Sequence, residues 1–275
     1  MAAALRPHRS AYWLNAKDKD APEFRRQVRE VCDTYAQAPE RLRTQGIHTI
    51  CIDEKTGMQA VERAAETLPM RPGRVERREH EYVRHGTQCL TANFEVATGR
   101  VIAPTVEATR TEADFAGHVA RTVATDPDAG WVFVADNLTT HCSATLVVLI
   151  ATLVAIPVGT LGAKGASGVL KSVASRRAFL TDPGRRIRFA FTPKHTSWLN
   201  QVEIWFGGLA GGLLRRGNFR SVADLRAQVL NFVAYHNRLR AKPYQWAYTG
   251  RPKAARSQAT SRPLGTGFRS EATSR

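Results

Sequence analysis

The sequence predicts an α/β fold with a central β-sheet flanked by helices, and three observations carry that prediction. Residues 47–53 and 130–136 are almost wholly apolar runs that each end in an aspartate, as central strands buried on both faces do. Residues 88–96 and 100–106 flank Ala97-Thr98-Gly99, the pattern of a β-hairpin. Further on, Leu199, Val202, Phe206, Leu209 and Leu213 recur at steps of three and four, which marks one apolar face of a helix.

Taken in order, Ala21-Pro22 opens a charged helix through Phe24, Val28, Val31 and Cys32 to about Tyr35, and a second short helical piece follows Pro39. The first strand ends in Asp53-Glu54-Lys55-Thr56-Gly57, where glycine provides the turn. Residues 73–86 are dense in charge and read as a surface loop or an edge strand. Pro104 places the second hairpin strand near an edge or at a bulge. Thr111, followed by acids in the first turn, opens an amphipathic helix. Residues 130–136 repeat the grammar of the first strand, and Leu138-Thr-Thr-His141 leads into an apolar helix. If the two strands are parallel neighbours, their carboxyl ends share the sheet edge where α/β folds place ligands.

Residues 159–188 interleave glycines with Lys164, Lys171, Arg176, Arg177, Arg185, Arg186 and Arg188, opposed only by Asp182. This basic insert, with a short helix near residues 169–179, is either a solvated loop or a phosphate-contacting segment, and the charge imbalance favours the second. Residues 187–191 alternate like a half-exposed strand and deliver the chain to a helix opening after Thr192-Pro193. Residues 221–236 form a further amphipathic helix behind a serine cap.

Composition bounds the rest. A chain of 275 residues, 43% hydrophobic, suits one main domain with appendages. The expected division is a linker or helical segment at 1–45, a main domain at 46–250, and a basic, disordered tail at 251–275. A net charge of +16 favours a polyanionic partner, nucleic acid ahead of an acidic membrane surface. Four scattered cysteines without a Cys-x-x-Cys pair argue against a disulfide framework or zinc knuckle and fit a reducing cytoplasm. The first residues turn polar too soon for a signal peptide, and the apolar run at 144–158 is too short for a membrane span and holds Pro157.

The chemistry centres on Glu203, at the edge of its helix's apolar face. A carboxylate there is costly unless paired, protonated or bound to a cation. Asp53 and Asp136 are placed to share that cation. Three carboxylates suit magnesium or manganese, and two such ions bridged by a shared aspartate form a clamp for phosphoryl transfer. The sequence has no Gly-x-x-x-x-Gly-Lys-Ser/Thr loop, no Gly-x-Ser-x-Gly elbow and no His-Glu-x-x-His. His141 and His195 stand near the acids in sequence; contact with substrate phosphate, support of the ligands, and a structural role are all open to them.

Several motifs carry a family resemblance: Asp53-Glu-Lys-Thr-Gly, Leu68-Pro-Met-Arg-Pro-Gly73, Val83-Arg-His-Gly-Thr87, Asp136-Asn-Leu-x-Thr-His141 and Thr192-Pro-Lys-His-Thr-Ser-Trp-Leu-Asn-Gln-Val-Glu203-Ile-Trp-Phe. Their order and spelling resemble the DDE-type transposases of bacterial insertion sequences, in the group called IS six-thirty within the mariner-like superfamily. The resemblance implies an RNase H-like fold with a central mixed sheet, and Asp53, Asp136 and Glu203 as a catalytic triad holding two Mg2+ or Mn2+ ions, bridged by Asp53. It implies cleavage at transposon ends and strand transfer into target DNA, by a homodimer in the bacterial cytoplasm with no membrane partner. On this reading Lys55, Arg84, His85, Lys164, Lys171, Lys194 and His195 contact DNA. Asn137 and His141 support the ligands, with Asn137 orienting Asp136.

The chain departs from the family pattern in three ways. No convincing helix-turn-helix precedes Asp53, so recognition of the terminal repeats is expected on an upstream segment or a frameshift-linked product. Asp136 and Glu203 are 203 − 136 = 67 positions apart, longer than the mariner-like norm. The helix after Glu203 holds Gly207, Gly208, Gly211 and Gly212, each costing about 1 kcal/mol relative to alanine in a helix interior. The alternatives are a nuclease of the same fold without strand transfer, and an inactive remnant that binds DNA through charge.

Overall fold

The computed structural model describes residues 21–77 and 79–248. The polar stretch at 1–20 and the expected tail at 251–275 lie outside the described residues. Helix α1 runs unbroken over Pro22–Gln45 and ends at Gly46, whose left-handed conformation (φ 61°) suits glycine. The expected end near Tyr35 and restart after Pro39 are therefore replaced by one helix with Pro39 inside it. Pro39 is exposed; Val28, Val31, Cys32, Tyr35 and Ala38 pack the segment before it into the core, and the helix runs on for six residues to its Gly46 cap.

Strand β1 spans Ile47–Arg63, β2 Tyr82–Glu95 and β3 Val101–Glu107. After α2 (Glu112–Val123) come β4 (Gly130–Ala135), α3 (Ala144–Leu153), α4 (Val173–Leu180) and β5 (Ile187–Phe191). The chain closes with α5 (Gln201–Leu209), a π-helical turn at Ala210–Leu214, and α6 (Val222–Leu239). The strands form one sheet in the order β3-β2-β1-β4-β5. β1, β2 and β3 are antiparallel, while β4 and β5 run parallel to β1. That mixed order is the RNase H-like arrangement.

Side-chain alternation along the central strands splits the core in two. Cys51 and Val134 face α1, α5 and α6, packing with Tyr35, Phe94, Val202, Phe206 and Leu225. Ile50, Ile52 and Phe133 face α2, α3 and α4, packing with Phe115, Leu146, Ile150 and Phe189. Strand β5 is more buried than its alternation suggested, with Arg188 alone half-exposed. All four cysteines are free and buried. No helix among the described residues is long and apolar enough to cross a membrane.

Two further expectations are corrected. β1 does not turn at Gly57. The register with β2 shifts between Lys55 and Met58, and Gly57 takes φ 68°, so the glycine serves a β-bulge and the strand continues. Beyond the bulge, β1 and β2 form a two-stranded arm in which residues 82–87 are exposed. Likewise α5 begins at Gln201, because residues 192–196 turn and Ser197–Leu199 form a 3-10 segment first.

The basic insert folds as part of the core. A Cβ on Gly162 would lie 2.3 Å from Ser167 O, so the backbone crosses itself where only glycine fits. Its arginines turn inward onto carbonyls. Arg176 donates to Cys142 O at 2.7 Å, and Arg186 to Pro127 O at 2.6 Å and Leu153 O at 3.1 Å. Arg185 donates to Phe179 O and covers its ring at 3.8 Å. Lys164 and Lys171 remain exposed.

Candidate active site

The parallel pairing of β1 with β4 stops at Cys51 opposite Val134. Continued two residues on, that register sets Asp53 level with Asp136, just past the end of β4. Asp53 is thus mid-strand in β1 yet stands at the sheet edge, and it takes the Cys51 face, beneath α5. Asn200, immediately before α5, donates its amide to Ile52 O at 3.0 Å and lies 3.5 Å from Asp53 Oδ2. Tyr35 of α1 donates its hydroxyl to Leu199 O at 2.9 Å. These two bonds fix the start of α5, and with it Glu203, over the strand ends.

The electrostatics record the convergence. Burial pushes the Asp53 carboxyl up to about 7, and the charges of Asp136 and Glu203 add to the rise against the opposing Glu54 N–H. Glu203 is solvent-exposed on its helix. Lost hydration still raises its pKa above the ordinary carboxylate range, with Lys55 opposing and Asp136 adding. Burial likewise pushes Asp136 up, but the bond and charge of His141 and the Leu138 N–H outweigh it and hold Asp136 below the ordinary range. Three carboxylates from three elements therefore feel one another at one edge of the sheet.

His141 is fully buried, stacked on Phe115 with centroids 4.1 Å apart. Its Nδ1 is 2.7 Å from Asp136 Oδ1, and its Nε2 is 3.1 Å from Glu54 Oε2. Burial lowers its pKa, yet the two carboxylates override this and raise it to about 9, so the ring is cationic at neutral pH. Asn137 does not take the role expected of it: its amide donates to Thr192 O, and Arg177, lying 4.5 Å over the Phe191 ring, donates to its Oδ1. The side chain in contact with Asp136 is His141.

The remaining candidates divide by position. Lys55 lies close enough to influence Glu203. Lys194 and His195 are exposed in the turn after β5, His195 with φ 62°. Arg84 pairs with Val61 on the arm, which is 61 − 53 = 8 residues beyond Asp53, or roughly 26 Å of strand. His85, on the same arm, lies 2.7 Å from Glu62 Oε2. Lys164 is 3.9 Å from Glu112. Arg84 and His85 thus lie away from the carboxylates. Glu54 and Asn200 escape notice as site residues in the sequence, and Arg177, which reads there as part of the basic insert, instead braces Asn137. Glu54 had one usable signal: if β1 continues past Asp53, the next residue must face the opposite side of the sheet, where His141 lies.

The donor set fits a hard divalent cation. It is all carboxylate, and the burial and repulsion that together raise Asp53 are what a cation would relieve. Among the described residues, no three histidine, cysteine, aspartate or glutamate side chains are already closed into a metal-holding group.

An RNase H-like sheet with carboxylates at the edge where β4 ends suits an endonuclease-type domain. Residues 48–226 match the DDE superfamily endonuclease family, and the chain belongs to that family. No curated protein matches it. Among solved structures, it is similar to the Mos1 transposase paired-end complex with left transposon end (14% identity, 85% of this chain and 60% of that one, TM-score 0.46). It is also similar to the Mos1 mariner paired end complex with Mn (14%, 85% and 60%, TM-score 0.47) and to the catalytic domain of Mos1 mariner transposase (12%, 82% and 85%, TM-score 0.42). The chain spans about 60% of the length of the first two.

Proposed function

We propose that this chain is the catalytic domain of a DNA transposase, of the IS six-thirty group by its motifs, acting on transposon ends and target DNA in the bacterial cytoplasm. The observation that carries this reading is positional: the β1–β4 register sets Asp53 level with Asp136, and the Asn200 and Tyr35 bonds seat the start of α5, which bears Glu203, over the same sheet edge. These three residues would hold two Mg2+ or Mn2+ ions, with Asp53 shared. Bound there, the ions supply charge neutralisation of the scissile phosphate and activation of the attacking oxygen.

The chain's own residues do the rest. Asn200 and Tyr35 fix α5 against the strands. Lys55, beside Glu203, and Lys194 and His195, in the exposed turn after β5, face the sugar–phosphate backbone. The exposed Lys164 and Lys171 offer further cationic contacts to DNA. A Cβ on Gly207, Gly208 or Gly211 meets nothing within 4 Å, so packing does not require these glycines, and the bare backbone beside Glu203 leaves room for DNA. A dimer bridging two transposon ends, with terminal-repeat recognition on an upstream helix-turn-helix segment, completes the reading.

The test is nicking of supercoiled DNA with Mg2+ or Mn2+. The expected outcome is nicking by the wild type that is lost in both Asp136→Asn and Glu203→Gln. Nicking that survives Asp136→Asn removes the triad from the chemistry. Nicking without any strand-transfer product would instead assign a nuclease of the same fold. Metal-independent DNA binding with a steep salt slope and no cleavage would mark an inactive remnant.

A further inference from the structure

Resting on that metal-site reading, we propose that Glu54 and His141 are positioning residues that turn one oxygen of Asp136 inward and present the other, Oδ2, so that Asp136 binds a cation through a single oxygen. The geometry on Oδ1 carries this. That oxygen accepts the Leu138 N–H at 2.9 Å and lies 2.7 Å from His141 Nδ1. The Leu138 N–H hydrogen-bonds this oxygen, and the His141 ring nitrogen stands against it at ion-pair distance without hydrogen-bond alignment. Chelation by both oxygens would break one of these contacts, whereas single-oxygen binding leaves both intact. Mg2+ itself favours regular octahedral geometry, which the narrow bite of a chelating carboxylate distorts.

His141 has little freedom to yield. Its ring is stacked on Phe115, and its two nitrogens meet Asp136 and Glu54. The Glu54 side chain is only 5% exposed. Burying a glutamate and a histidine together is an expensive way to hold a fold, since apolar side chains of similar volume often serve stability equally well. The pair makes sense as a device of position. Because side chains alternate along β1, one strand serves the site twice. Asp53 enters it directly from one face, and Glu54 anchors the second aspartate from the other.

The readout is Mn2+ affinity, followed by the electron paramagnetic resonance of free Mn2+, with thermal melting as a check on folding. The variants are His141→Phe, which keeps an aromatic ring against Phe115 but no donor, His141→Asn, whose amide can still donate to Oδ1, and Glu54→Gln. We expect His141→Phe and Glu54→Gln to weaken Mn2+ binding about 10- to 100-fold, the usual cost of removing a group that orients a ligand, while still melting cooperatively. His141→Asn should recover part of the loss, which a purely structural role would not produce. If His141→Phe fails to fold, Glu54→Gln carries the test. Wild-type affinity in the folded variants overturns the proposal alone, provided Asp53→Asn and Asp136→Asn still lose Mn2+. If those two aspartate variants keep it, the metal reading fails and the proposal falls with it.

Discussion

His118 is a residue whose neutrality the fold enforces. It is fully buried on α2, with Nδ1 2.9 Å from the Thr105 hydroxyl. Burial, aided by the charge of Arg121, pushes its pKa down to about 3. The unfolded chain takes up this proton near pH 6.5 while the folded chain refuses it until about 3. The stabilising effect of neutral His118 is therefore complete above pH 6.5 and lost as pH falls toward 3, at up to about 1.4 kcal/mol per pH unit. His48 works in the opposite sense. Its bond to Glu95 raises its pKa against desolvation, so its contribution is full at low pH and fades as pH rises through the raised value. Urea unfolding of the wild type and His118→Gln at pH 7, 5.5 and 4.5 separates the two. The variant should show a flatter fall with acidity, and parallel curves would contradict the assignment.

At the scale of elements, α5 concentrates a conflict between local preference and use. Alanine at Gly207 or Gly208 meets no neighbour, so each substitution should stabilise the protein by about 1 kcal/mol in chemical denaturation. A Cβ on Gly212 would press to 3.1 Å of the Phe232 ring, so Gly212→Ala should gain less or lose. A gain in stability at 207 and 208 accompanied by weaker DNA binding would show that the bare helix surface serves the substrate. No gain at either position would refute the reading of these glycines as structurally unneeded. The buried strands and the β2–β3 hairpin were legible in the sequence because periodicity and turn chemistry agree there. Pro39, Gly57 and Pro193 misled because each is a local start or stop signal whose consequence tertiary packing decides. The first sits on an exposed position of a helix that continues to Gly46, β2 pairing absorbs the second as a bulge, and the third is followed by a turn before α5 begins.

At the scale of the whole molecule, the three acids could be nominated as candidates in advance because two close apolar runs and one lies on an amphipathic helix. Of the residues around them His141 could be nominated too, but the others could not. Glu54, Asn200 and Arg177 gain meaning only once sheet register and layer order bring distant segments together, and charge counting alone gave the insert's arginines an outward role that carbonyl bonding takes away. The net charge of +16 thus overstates the free cationic surface, since Arg176, Arg177, Arg185 and Arg186 brace the fold.

The four buried cysteines have a practical corollary for anyone wishing to watch this protein move. Burial holds every thiol above its usual pKa, Cys51 at about 12 and Cys89 at about 11, so thiolate is scarce and shielded. Maleimide reagents should leave the folded chain unmodified by mass, while Leu68→Cys, at a site 59% exposed beyond the paired strands of the arm, should take up a single label. The native sequence is already a silent background for site-directed probes.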